Sequence, residues 1–235
     1  RTDEALLLGG VTLSDIDQVR HAFGDSVILA AHSAAVVFGG GTPTASGAPP
    51  WHCGDPPEGT WVGTASSGRL SLNNTGDTLT LTGSETLDQV SYESSTATEQ
   101  SMVRWPESDP SSEWTRHGEL VAALGPHSPA RRVDGRAFTE ATTAPVDTAS
   151  DTGLEDSASP TDTAVPVMPS GLVLNELMAD PGDLDANCDG IVDTVADEYI
   201  EIVNTSEDPI DLSGATLSDE VTVRHTFEDD AWLDP

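Results

Sequence analysis

The 235-residue chain sets 41 Asp and Glu against nine Arg and no Lys, for a formal net charge of -32 and a pI near 4.1. That balance disfavours nucleic acid, whose affinity rests on cation contacts, and anionic membrane surfaces; divalent cations and cationic partners are favoured. At 36% apolar residues the chain is lean for one packed globule, which predicts a sizeable unstructured portion, and no apolar run nears the ~20 residues that span a bilayer.

The first region, 1–138, carries 17 acids and 8 Arg and reads as short strands. "LSDIDQVRHAF" and "ILAAHSAAVVF" are bounded by Gly9–Gly10 and Gly39–Gly41. The glycine triplet reads as a turn, since neither a helix nor a Lys follows to make a phosphate cradle. The Pro-rich stretch Gly41–Gly63 reads as a long loop. "LSLNNTGDTLTLTG" predicts a hairpin, with "NNTGD" turning between Leu70–Leu72 and Thr78–Leu81. Glu85–Tyr92, Ser101–Trp105 and Ser112–Gly118 follow as strands. Strands at this spacing, joined by polar turns, predict an all-β antiparallel sandwich or barrel.

The break comes at 139–170. This segment has no aromatic residue, four Pro and many Thr, Ala, Ser and Asp, so it cannot bury enough apolar surface to offset its ordering entropy. It reads as a disordered linker whose r.m.s. span is about 30 Å. The same composition also suits an O-glycosylated stalk. Residues 139–235 together hold 24 acids against one Arg. Leu172–Asp180 and Asp197–Asn204 read as strands; in the second, Ile200 and Ile202 face one way and Tyr199, Glu201 and Val203 the other.

The chain then repeats itself. Asp3–Leu29 aligns without gaps to Glu207–Leu233, 204 positions later, with 12 of 27 residues identical, among them Leu13, Ser14, Asp15, Val19, Arg20 and His21. "LVLNELMADP", an Asp-rich loop, "DEYIEIVNTSEDPIDLSGATLSD" and "VRHTF" resemble the first half of a bacterial lamin-tail domain. Thr12 to Gly135, with "TLSD", "VVFGGGTPT", "LDQVSY", "SMVRWPESD" and "SPARRVDG", resembles the rest. The resemblance implies an immunoglobulin-like β-sandwich. It also implies a non-catalytic module of secreted or surface-attached bacterial proteins, sometimes accompanying hydrolases or phosphoesterases.

Under that resemblance, 1–138 is a domain lacking its first two strands and 171–235 is the first half of a second. The chain then reads as a fragment of a tandem array, with neighbouring repeats as partners. Its start at Arg1 without a Met suggests a removed or unsequenced N-terminus. The halves are complementary, so Leu172–Asp180 and Asp197–Asn204 are expected to complete the sheet left open by 3–138, leaving one copy of the repeat surplus. The alternative is two incomplete half-domains.

The sharpest chemical motif is "DLDANCDGIVDTVADEYIE". Asp185, Asn187 and Asp189 alternate and Gly190 follows, as in a calcium loop, with the Ile191 carbonyl and Asp193 at the seventh and ninth positions. Ala196 stands where a bidentate Glu is expected, so Asp197 or Glu198 is the candidate replacement. Eight acids between Asp180 and Glu201 would repel one another less around a cation; a solvated acidic turn is the plainer reading. If each intact repeat holds one cysteine of each kind, Cys188 in this loop and Cys53 in the Pro-rich loop pair loop to loop; two free thiols are the alternative.

Nothing in the sequence marks a catalyst. His21 and His225 recur in the repeat and read as structural, paired with Asp15 or Asp219; His117 and His127 lack metal-ligand spacing. No nucleophile elbow occurs. Arg131, Arg132 and Arg136 form the only basic cluster, read as neutralising local acid. Trp51, Trp61, Trp105, Trp114 and Trp232 offer a carbohydrate or peptide platform, with at least two expected in the core. The leading expectation is an extracellular or cell-surface, calcium-stabilised β-sandwich for adhesion or scaffolding, with its ligand unidentified. The runner-up is an accessory domain positioning a secreted hydrolase or nuclease.

Overall fold

The computed structural model describes residues 11–43, 55–83, 86–93, 99–139 and 171–205, together with the course of three further strands within 210–228. The predicted linker lies outside the described residues, apart from Thr139.

Strand β1 (Thr12–Ser14) turns into β2 (Val19–Ala22) with Leu13 opposite His21. Asp15 holds the turn: one carboxylate oxygen accepts from Asp17 and Gln18 N–H at 2.9 and 2.6 Å, and the other meets the Arg20 guanidinium. Asp15 therefore pairs with Arg20 rather than with His21, whose Nδ1 lies 3.0 Å from the Thr64 carbonyl. The chain continues through β3 (Gly24–Leu29), β4 (Ala34–Phe38) and β5 (Trp61–Thr64). Next come β6 (Gly76–Thr82), β7 (Thr86–Glu93), β8 (Met102–Trp105), β9 (Glu113–Arg116) and a short 3-10 turn, His117–Glu119. After residue 170 come β10 (Leu172–Met178) and β11 (Tyr199–Asn204).

Two sheets pack face to face. One runs β2-β1-β6-β7 and the other β5-β4-β11-β10-β8-β9. The fold is an all-β sandwich, and the C-terminal strands complete it: β11 pairs antiparallel with β4 and β10 with β8, so both sit in the middle of the larger sheet. Leu13, Leu79, Leu81 and Val90 from one sheet meet Leu174, Leu177, Ile200 and Ile202 from the other in a single buried cluster. Fully burying each such side chain contributes roughly 1.5–3 kcal/mol.

The alternation in β11 places Ile200 and Ile202 between the sheets, while Tyr199 and Val203 face outward. That outer face is buried too, because the segment following β9 folds back over it and brings Ala130 and Phe138 against Tyr199 and Val203. In β10 a bulge between Leu174 and Glu176 reverses the alternation. Leu172 and Leu174 point inward before it and Leu177 after it, which leaves Glu176 among the buried polar residues.

Two expectations fail in the backbone. The hairpin predicted at "NNTGD" does not form. Leu70–Leu72 is not a strand; Leu72 N–H is taken by the Glu198 carboxylate at 3.1 Å, and Ser71 adopts a left-handed φ of 52° that no strand accommodates. The hairpin instead joins β6 to β7, one turn later. The long loop predicted to Gly63 also ends early, because β5 pairs parallel with β4 from Trp61 onward.

The second copy of the repeat keeps the geometry of the first. In β13 (Thr216–Ser218) and β14 (Val223–Glu228) the register is Thr216 with Thr226 and Leu217 with His225, and the bulge falls before Ser218 as it falls before Ser14 in β1. With β12 (Ile210–Ser213) this hairpin joins β3 in a third sheet, ordered β12-β3-β14-β13.

Candidate functional site

The acidic loop between β10 and β11 is built from short side-chain turns. Asp185 accepts from Gly190 N–H at 3.0 Å, Asn187 from Asp189 N–H at 3.0 Å and Asp189 from Ile191 N–H at 2.9 Å. Asp193 accepts from Val195 and Ala196, which lowers its carboxyl below the usual range. Gly190 takes a φ of 85°, so the sharp bend expected at the sixth position is present.

Asp197 closes the loop. Its two oxygens accept from Asn187 N–H at 3.0 Å and Asp193 N–H at 2.7 Å, and burial raises its carboxyl, with the nearby Asp185 charge adding to the effect. Glu198 leaves the loop instead: its carboxylate bonds Leu72 N–H, and burial pushes it up to about 8. Of the two candidates for the missing twelfth-position ligand, Asp197 is the one facing the loop.

The Gly39–Gly41 triplet, read from sequence as a plain turn, is the seat of this loop. Gly39 N–H donates to the Glu198 carbonyl at 2.7 Å, Gly40 N–H to the Ala196 carbonyl at 3.2 Å, and Thr42 N–H to Asp189 at 3.1 Å. Asn187 returns a bond to the Gly40 carbonyl at 3.2 Å. A methyl group on Gly39 would run into the Val195 carbonyl, and one on Gly41 into the side chains of Asp189 and Asn187. Only glycine lets the two backbones approach so closely. Cys188, inside the loop with a φ of 58°, is disulfide-bonded. The chain has one other cysteine, Cys53, which lies outside the described residues.

The loop's donor set is all oxygen, which suits a hard divalent cation. Asp185 Oδ1 is buried and reached by no hydrogen-bond donor, a costly arrangement for a carboxylate unless a cation answers it. Against this, no three His, Cys, Asp or Glu side chains converge on one point among the described residues. The other loop carboxylates that face inward are occupied by backbone N–H groups.

Sequence reasoning missed a second cluster, under the segment that covers the outer face of the larger sheet. Glu176 is wholly buried and accepts from Ser101 Oγ at 2.6 Å, Ser128 N–H at 2.9 Å, Ser128 Oγ at 2.9 Å and the Tyr199 hydroxyl. Glu201, equally buried, accepts from Ala130 N–H at 2.7 Å and Asn175 Nδ2 at 2.9 Å. Burial, with Glu176 nearby, raises the Glu201 carboxyl well above the usual carboxylate range. Burial also lifts nearby Glu107 to about 7.

His117 Nε2 lies 2.8 Å from Ser128 Oγ, so a serine, a histidine and a glutamate are joined in one chain of bonds. The order is wrong for nucleophilic activation: the serine bridges the acid and the imidazole, whereas a catalytic triad needs the imidazole in the middle. All three are buried, and the His117 Nδ1 lies 3.0 Å from the Gly125 carbonyl. This network ties the covering segment to the sheet.

Of the tryptophans, Trp61 packs against Phe23 and Trp114 against the core and under the Arg104 guanidinium, while Trp105 is exposed. Trp51 and Trp232 lie outside the described residues. In the basic cluster Arg136 does neutralise local acid, pairing with Asp134 at 2.7 Å, but Arg131 and Arg132 bond only carbonyl groups. No helix among the described residues is long and apolar enough to cross a membrane. Comparison with known protein families, curated proteins and solved structures found no match to this chain.

Proposed function

We propose that the chain is a non-catalytic, extracellular β-sandwich module of the lamin-tail type, stabilised by calcium and serving adhesion or scaffolding in a larger bacterial surface protein. The observation that carries the calcium reading is the loop from Asp185 to Asp197. It has the alternating oxygen donors and the bend at Gly190 of a calcium loop, and its first carboxylate keeps one buried oxygen without a donor. Asp185, Asn187, Asp189, the Ile191 carbonyl, Asp193 and Asp197 would hold the ion; Glu198 drops from the set because it serves Leu72. The disulfide at Cys188 supports an oxidising compartment. A net charge of -32 supports a partner that is cationic or bridged by divalent ions.

The test is calorimetry and thermal unfolding of the chain with calcium and after chelation. Saturable binding is expected, with stabilisation of about 2.7 kcal/mol at a hundredfold excess over the dissociation constant. Asp185→Asn is expected to abolish both effects, and Asp183→Asn, at an exposed position outside the ligand set, to leave them intact. No heat and no shift in Tm with millimolar calcium would overturn the calcium reading.

A further inference from the structure

A cavity of about 230 Å³ opens where the covering segment meets the end of β11. Arg132, His32, Ser108 and Thr205 line its polar side, and Phe138 and Val203 its apolar side. In a chain with 41 acids, no carboxylate among the described residues lines this space. Arg132 is only partly answered. Its guanidinium lies over the Phe138 ring at 5.1 Å, but its one side-chain hydrogen bond runs from Nη2 to the Phe138 carbonyl at 3.3 Å, its Nε is buried without a hydrogen-bond partner, and it makes no ion pair; a guanidinium has five N–H donors to satisfy. The Ser108 hydroxyl is likewise buried and unpartnered. Glu107, the nearby acid whose charge Arg132 influences, accepts from Val133 N–H at 3.0 Å and does not form a salt bridge with it.

We infer that this cavity is a binding site for a carboxylate carried on a short apolar stem. A guanidinium fork matches a planar carboxylate, and the hydroxyls of Ser108 and Thr205 add donors. Phe138 and Val203 suit the stem. A single arginine answers one negative charge, which favours a carboxylate over a phosphate dianion. Two sources share this chemistry. One is a ligand or partner from outside. The other is the chain itself: residues 140–170 hold six acids, leave the described chain just after Phe138, and rejoin it at Gly171, whose carbonyl accepts from Thr205 N–H at 2.7 Å and Thr205 Oγ1 at 2.9 Å.

The experiment follows the Arg132 Nε–H resonance by NMR during propionate titration. It uses the full chain, Arg132→Gln, Arg69→Gln as a control of equal charge, and a variant with the six acids of 140–170 changed to their amides. A saturable shift is expected, with affinity at least tenfold weaker in Arg132→Gln, read from neighbouring amide resonances, and unchanged in Arg69→Gln. If the source is external, wild type and the amide variant bind propionate alike. If the chain supplies its own carboxylate, propionate binds the amide variant and is blocked in wild type. Should Arg132→Gln fail to fold, Ser108→Ala carries the test, with about threefold weaker binding expected. No saturable shift in either wild type or the amide variant, or equal affinity in a folded Arg132→Gln, overturns the site.

Discussion

Asp88 and Glu176 are both removed from water, yet they are answered in opposite ways. Asp88, on β7, receives the Arg104 guanidinium through two bonds of 2.9 and 2.8 Å, and Leu174 N–H at 2.9 Å. Arg104 also donates to the Leu174 carbonyl at 2.7 Å, so this ion pair bolts the edge of one sheet to the middle of the other. Glu176 meets no cation; only hydroxyls and a backbone N–H answer it. A buried charge that loses its one ionic partner carries a large penalty, whereas a carboxylate answered by several neutral donors keeps the rest when one is lost. The ion pair is therefore the brittle device and the acid network the redundant one.

The largest expected break follows. Arg104→Met leaves Asp88 buried and unpaired and should cost about 3–5 kcal/mol in chemical denaturation. Changing Asp88 to Leu in the same chain should recover most of that loss; if it does not, Arg104 acts through its carbonyl bonds rather than the pair.

The acid network should show itself in pH dependence. Burial raises the folded Glu107 carboxyl from 4.5 to about 7, so between those values the folded chain holds a proton that the unfolded chain has released. Stability then falls as pH rises through this window, by up to ~1.4 kcal/mol per pH unit for each such group. Glu201, which burial also holds well above the usual carboxylate range, adds to this decline. Glu107→Gln should flatten the 4.5–7 part of the curve in denaturation series, and an unchanged slope would remove Glu107 as its source. The smallest of the three effects belongs to Glu176→Gln. It replaces one acceptor oxygen by a donor amide among donors and should cost about 1–3 kcal/mol in chemical denaturation.

The parts of the fold that sequence reveals are those governed by local alternation. Leu79 and Leu81 in β6, and Ile200 and Ile202 in β11, announce their inward face because a strand repeats every second residue. The same rule misleads in β10, where one bulge reverses the alternation halfway along, and nothing in "LVLNELM" marks it. Leu70–Leu72 alternates well but is not a strand, since a carboxylate 126 residues away claims its N–H. The burial of Glu201 depends on the segment around Ala130, which no pattern within "EYIEIVN" can announce. In the acidic loop, spacing named Asp185, Asn187 and Asp189, while the seat at Gly39–Gly41 came only from three-dimensional proximity.

The central position of β10 and β11 also sets a timetable for synthesis. When the ribosome has made the chain through Thr139, β4 and β8 both lack the neighbours that the finished sheet places between them. The strands that fill this gap emerge only after the 140–170 segment has been translated. Until then the nascent chain carries two vacant strand edges, which are templates for any other extended peptide nearby. Contacts between Val37 and Ile200, or Val103 and Glu176, also join residues far apart in sequence, which places this sandwich among slow-folding topologies. A producing cell therefore has reason to keep the unfinished chain away from its own copies until Asn204 has been added.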